Sequence, residues 1–225
     1  MSTRRINFAN DEFYHIFNRG VDKRDIFSNA RDYDRFLVSM DLLNDKADGL
    51  MIEWRDYKKG NPKKSLDDFL KGTFSKREPL VEILAYCLNP NHYHFILKQI
   101  EDRGIERFLH KLGTSHTKYF NKKNKRIGAL FQGVFKSVHI DSNEYLLYLS
   151  AYVNKNNFIH GYSPDDSWPY SSLVDYLDAR KNGLVKNKGI ILGQFDNISQ
   201  YKKFLNNNAR HFKEKKELER YLLEN

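Results

Sequence analysis

His92 and His94 stand two apart in Asn89-Pro90-Asn91-His92-Tyr93-His94-Phe95-Ile96-Leu97, a turn signal followed by aromatic and β-branched residues. Such a run reads as a strand. Side chains alternate faces along a strand, so both imidazoles point the same way. Two imidazoles on one face can hold a single metal ion while Tyr93, Phe95 and Leu97 pack beneath. Two half-exposed strand histidines without a ligand role have the same spacing. Ligand softness alone favours Zn²⁺ for a His pair.

Further along, Tyr145, Tyr148, Tyr152 and Asn156 lie on one stripe of a helical pattern, beside the apolar stripe Leu146, Leu149 and Val153. Tyr152 and Asn156 are four apart and stack one above the other. A core-edge aromatic and a late-helix polar residue also account for that pair.

The elements that must position these residues can be read in order. Met1-Ser-Thr-Arg-Arg is a short basic arm, and Phe13 to Phe17 a strand closed by Asn18-Arg19-Gly20. Ser28 or Asn29 can cap a helix with Tyr33, Phe36, Leu37, Met40 and Leu43 at helical spacing, ended by Asp48-Gly49. Residues 46–79 read as a basic surface insertion, in which Ser65 caps one short helix through Leu70. Leu80 to Leu88 is a strand, and the His strand returns beside it as a hairpin. A helix with Ile105, Phe108, Leu109, Leu112, Tyr119 and Phe120 on one side follows, then the basic loop Lys122-Lys123-Asn124-Lys125-Arg126. Val134 to Ile140 is the last strand. Asp141-x-x-Glu144 is a capping-box-like start for the helix Glu144 to Phe158, which Gly161 can end.

The order strand, helix, strand, strand, helix, strand, helix predicts an α+β fold, a ferredoxin-like antiparallel sheet with helices on one face. Residues 1–162 are expected to form the core, and 163–225 a helical C-terminal extension.

The chain of 225 residues carries a net charge of +9, which calls for an anionic partner, nucleic acid ahead of membrane. No apolar run is long enough to span a bilayer, and no basic-then-apolar leader suggests secretion. The single Cys87 excludes an internal disulfide framework and reads as a small core residue, so a cytoplasmic protein is expected.

Several motifs, in order, resemble the single-tyrosine HUH transposases (the insertion-sequence-200-like transposases), most closely their REP-associated tyrosine transposase branch. They are Phe13-Tyr14-His15-Ile16-Phe17-Asn18-Arg19-Gly20, Ile26-Phe27, Asn91-His92-Tyr93-His94, Gly128-x-Leu130-Phe131-Gln132-Gly133-x-Phe135-Lys136, Tyr145-Leu146-Leu147, Tyr152-Val153-x-x-Asn156 and Trp168-Pro169-Tyr170-Ser171-Ser172. Family members usually read Asn-Pro where this chain has Asn156-Asn157, which removes a helix-breaking signal.

The resemblance implies that His92 and His94 are metal ligands, Asn156 the third ligand and Tyr152 the nucleophile. It implies Mg²⁺ or Mn²⁺ as the metal and single-stranded DNA beside a hairpin as the substrate. The product would be a 5′-phosphotyrosine with a free 3′-hydroxyl, which stores the bond for rejoining. Monomers and homodimers both occur in the family. Arg19, Lys122, Lys123, Lys125, Arg126 and Lys136 are available for phosphates, with aromatic residues between them for stacking, although each also reads as a solvated charge. His15, His110, His116 and His139 read as structural or surface residues. Two other classes remain: a DNA-binding protein that kept the fold without transposition, and a metallonuclease that activates water.

Overall fold

The computed structural model describes residues 7–73, 77–163, 166–180 and 183–224; the basic arm at the start of the chain lies outside them. The elements are β1 (Phe13–Arg19), α1 (Ala30–Leu42), α2 (Leu50–Gly60), α3 (Leu66–Thr73), β2 (Val81–Asn89), β3 (His92–Gln99), α4 (Gly104–Lys123), β4 (Lys136–Ile140), α5 (Asn143–Asn154), α6 (Asn156–Ile159), α7 (Leu173–Tyr176), α8 (Gly189–Leu192) and α9 (Ile198–Glu224).

The four strands form one antiparallel sheet in the order β2-β3-β1-β4. The strand order is the ferredoxin-like one expected from the element order, but helices cover both faces rather than one, with α1 and α4 on one side and α5 on the other. β2 and β3 are joined by Pro90-Asn91 alone, so the His strand begins directly out of the turn. Gly20 fastens that turn to the end of β1: its N–H donates to the Asn91 carbonyl at 2.8 Å. A Cβ at Gly20 would come within 2.2 Å of the Arg24 carbonyl oxygen, so the close approach requires glycine.

Strand alternation divides the sheet into two faces. Tyr14, Ile16, Tyr93, Phe95 and Leu97 lie on one and are buried in the main hydrophobic cluster, together with Phe36 of α1 and Phe108 and Leu112 of α4. His15, Phe17, His92 and His94 lie on the other, where Tyr152 of α5 meets His15 and His94. α9 lies against α5 and α6, and its Tyr201 and Leu205 belong to the same cluster as the sheet.

Some local signals resolve differently from the sequence reading. Ser142, not Asp141, caps α5, its side chain accepting from the Tyr145 N–H. The helix expected over Glu144 to Phe158 divides at Lys155, and the second piece runs on to Ile159. The Asn154 carbonyl accepts from Ser171 Oγ at 2.9 Å, a bond outside the helix ladder. In the insertion, Ser65 does cap α3: its Oγ accepts from the Asp68 N–H, while Asp68 reaches back to the Ser65 N–H. A second helix, α2, was not foreseen. Trp54 and Tyr57 of α2 pack with Leu42, Leu50 and Phe69 in a small separate cluster. No helix among the described residues is long and apolar enough to cross a membrane.

Candidate active site

β3 is an interior strand, so its histidines are placed from both sides. His92 lies opposite Arg19 and Asn89, and His94 opposite Phe17 and Cys87. Their rings stand edge to face with centroids 5.2 Å apart. Both are buried, at 9% and 7% exposure, rather than half-exposed, because α5 covers this face. Burial holds His92 at a pKa of about 4, against an opposing pull from the Asn156 oxygen that favours the protonated ring, and holds His94 well below the usual imidazole value. Both rings are therefore neutral at pH 7, the state a metal ligand needs.

Asn156 reaches the His strand from the start of α6. Its Oδ1 lies 3.0 Å from His92 Nε2, and Asn89 Nδ2 stands between the two, 2.6 Å from Oδ1 and 3.1 Å from Nε2. On the other side of the ring, His92 Nδ1 is 2.6 Å from Asn91 Oδ1. Asn91 donates its own Nδ2 to the Lys23 carbonyl, which leaves Oδ1 as the acceptor. The proton of neutral His92 thus belongs on Nδ1, and Nε2 keeps its lone pair beside the Asn156 oxygen.

Two acceptors sharing one donor, with the buried Asn156 Nδ2 left without a hydrogen-bond partner, form a polar cluster short of positive charge. The donor set of two neutral imidazoles and one amide oxygen suits a divalent cation. Among the described residues no group of three His, Cys, Asp or Glu side chains is arranged to hold a metal ion, and the side-chain oxygen beside the histidine pair is that of Asn156.

Tyr152 stands edge-on to His94, with ring centroids 5.4 Å apart, and lines a cavity of about 330 Å³ with Phe17, Arg19, His92, His94 and Lys136. Burial raises the Tyr152 pKa, so the phenol holds its proton at neutral pH. Tyr148, one turn earlier, is 36% exposed, packs on Phe212 and does not line this cavity.

The predicted basic residues separate into three groups. Arg19 and Lys136 line the cavity, and Arg19 donates from Nε and Nη2 to Gln132 Oε1 at 3.3 and 2.9 Å. Lys122 and Lys125 are exposed but away from the cavity lining. Lys123 and Arg126 turn back onto the protein. Lys123 Nζ lies 2.6 and 2.7 Å from the two oxygens of the buried Asp32, and Arg126 donates to Asn121 Oδ1 at 2.5 Å and to the Ala129 carbonyl at 2.9 Å.

Sequence reasoning missed three members of the site. His15 Nε2 lies 2.9 Å from His94 Nδ1, a contact that depends on how β1 registers against β3. His160 lines the cavity with its ring 4.7 Å from that of His92, and its place four residues after Asn156 was an available signal. Burial, with the charges of His92 and Lys216 adding to it, lowers the His160 pKa to about 3. Lys216 of α9 comes within 2.7 Å of His160 Nδ1, and nothing local in the sequence announces it.

The family model described as "Transposase IS200 like" matches residues 55–156, a span that holds His92, His94, Tyr152 and Asn156. No curated protein matches the sequence. Among solved structures, "Structure of the REP associates tyrosine transposase bound to a REP hairpin" superposes with a TM-score of 0.51 at 15% identity. That match covers 79% of this chain and 86% of the other, and at that identity it establishes the shared fold. The family model meets the resemblance to the IS200-like transposases over residues 55–156, and the structural match shows the shared fold.

Proposed function

We propose, from the family-model match over residues 55–156 and the fold shared with a REP-associated tyrosine transposase, that this chain is an IS200-like transposase that nicks and rejoins single-stranded DNA beside a hairpin through Tyr152. The observation that carries this reading is the convergence of Tyr152, His92 and His94 on one cavity, with Asn156 Oδ1 3.0 Å from His92 Nε2 behind it. The REP hairpin is the ligand named for the structural neighbour; a hairpin-bearing strand is proposed here by extension.

In this reading Tyr152 Oη attacks the scissile phosphorus. The Tyr O–P bond forms, the bond from phosphorus to the 3′-oxygen breaks, and the proton lost by the phenol is matched by one gained at the 3′-oxygen. No water is consumed, so the reverse step rejoins the strand to the same or another 3′-hydroxyl. His92, His94 and Asn156 would hold Mg²⁺ or Mn²⁺, which when bound supplies positive charge for the phosphate oxygens. Because all three ligands are neutral, none of that charge is cancelled by the protein. Arg19 and Lys136 offer further positive charge at the same cavity for the flanking backbone. Burial under α5 excludes bulk water from the rings, which strengthens each of these interactions. Residues 1–162 carry the chemistry in this scheme, and the extension from 163 to 225 braces the tyrosine helix through α9.

The test is incubation of the protein with a hairpin-bearing single strand and Mg²⁺ or Mn²⁺, followed by a denaturing gel. A covalent protein–DNA band that Tyr152→Phe abolishes is the expected result. Cleavage without any adduct would point to water as the attacking group, and binding without cleavage to a DNA-binding protein that kept only the fold.

A further inference from the structure

The contact between His15 and His94 carries one more inference, which rests on the reading of His94 as a metal ligand. The two rings are nearly parallel, with planes 16° apart and centroids 5.1 Å apart. Both side chains are buried, His15 at 7% exposure, and Phe17 stacks on the two of them. With His15 Nε2 at 2.9 Å from His94 Nδ1, one nitrogen must carry the proton and the other must accept it.

The direction of that bond decides what His94 can do. If His94 Nδ1–H donates to His15, the lone pair of neutral His94 falls on Nε2, across the ring from His15. If His15 donates instead, the His94 proton moves to Nε2 and no lone pair is left there for a cation. At His92 the partner is an amide oxygen, which can only accept, so the equivalent choice is already made.

We propose that His15 is a positioning residue for His94: it accepts the Nδ1 proton, fixes the ring's orientation and tautomer, and leaves the Nε2 lone pair for the divalent ion. A carboxylate at this place would orient the ring equally well but would bring a negative charge to the site. A neutral imidazole orients the ring without it. Outer partners of this kind act on metal affinity through the ligand they orient.

The experiment uses the full chain and Mn²⁺ as the probe, with affinity read by titration calorimetry in the absence of DNA. His15→Phe keeps a ring in the stack and deletes the acceptor, and is expected to weaken Mn²⁺ binding by roughly 10- to 100-fold. His15→Gln, whose amide oxygen can accept, is expected to restore most of that loss. His94→Ala is the control for the underlying reading: if it binds Mn²⁺ as tightly as the native chain, His94 is no ligand and the proposal falls with it. If His94→Ala loses the ion and His15→Phe does not, the ligand reading stands and the positioning role is overturned. Imidazole nitrogen NMR of the native chain decides independently of whether the variants fold. A proton on His94 Nδ1 supports the proposal, and a proton on Nε2 overturns it.

Discussion

The amide oxygen of Asn156 lies 3.0 Å from Nε2 of His92, and through that contact a residue just past the tyrosine helix meets the middle of the sheet. Tyr152 is four residues before Asn156, so the position of the phenol over the histidine face follows from the same contact. The chemistry and the packing of α5 on β3 are coupled. A change in one should register in the other.

For the histidines this has a direct consequence. His92→Ala and His94→Ala are expected to abolish cleavage of a hairpin-bearing strand. Because both side chains are buried, each should also cost stability, roughly 1–3 kcal/mol by denaturant titration. Cleavage at the native rate in either variant would remove that residue from the ligand set.

Tyr152→Phe removes one hydroxyl and keeps the ring against His94 and Phe212. Folding, strand binding and Mn²⁺ binding should survive, and the adduct should vanish. Tyr148→Phe should leave the adduct intact, since Tyr148 packs on Phe212 outside the cavity. The opposite pattern on a denaturing gel would move the nucleophile back by one turn.

The basic residues should separate by assay. Arg19→Ala with Lys136→Ala is expected to weaken single-strand binding and flatten its salt dependence. Lys123→Met acts on stability instead. It strips the ammonium from an Asp32 that is fully buried, leaving only the Tyr119 hydroxyl and the Ser28 N–H as partners. The partly exposed lysine moderates the cost to about 2–3 kcal/mol. Equal salt slopes for both variants would contradict this division of labour.

Acid should destabilise the fold through buried histidines. His116 is fully buried, with Nε2 at 2.8 Å from the Ile26 carbonyl, and burial lowers its pKa from 6.5 to about 4. As pH falls below 6.5 the unfolded chain takes the proton first. Its contribution, on the order of 3 kcal/mol, is present above 6.5 and is lost by about pH 4. His116→Gln can still donate to Ile26 and should show a shallower loss of stability over that window in urea unfolding. An unchanged slope would assign the effect to other groups.

What the sequence made legible was what depends on short spacing. Period-two alternation placed His92 and His94 on one face, and the turn at Pro90-Asn91 set the hairpin. The element order gave the sheet. What it hid depends on distant partners. His15 meets His94 only through the register of β1 on β3, and Lys123 looks like any solvated lysine until Asp32 is brought beneath it. Lys155 marks the break between α5 and α6, beside an Asn154 carbonyl that is bonded to Ser171 from a later loop. α2 was masked by composition, since Lys58 and Lys59 obscure a face that closes on Phe69.

The separate cluster of Leu42, Leu50 and Phe69 makes the α2–α3 hairpin a cooperative unit of its own. Its apolar contacts are few, so it can open and close without disturbing the sheet, at a free energy well below that of global unfolding. Backbone amides of α2 and α3 should therefore exchange with solvent deuterium long before those of β1 and β3. Substitutions within the hairpin are therefore expected to be absorbed locally, short of the strand that carries the histidines.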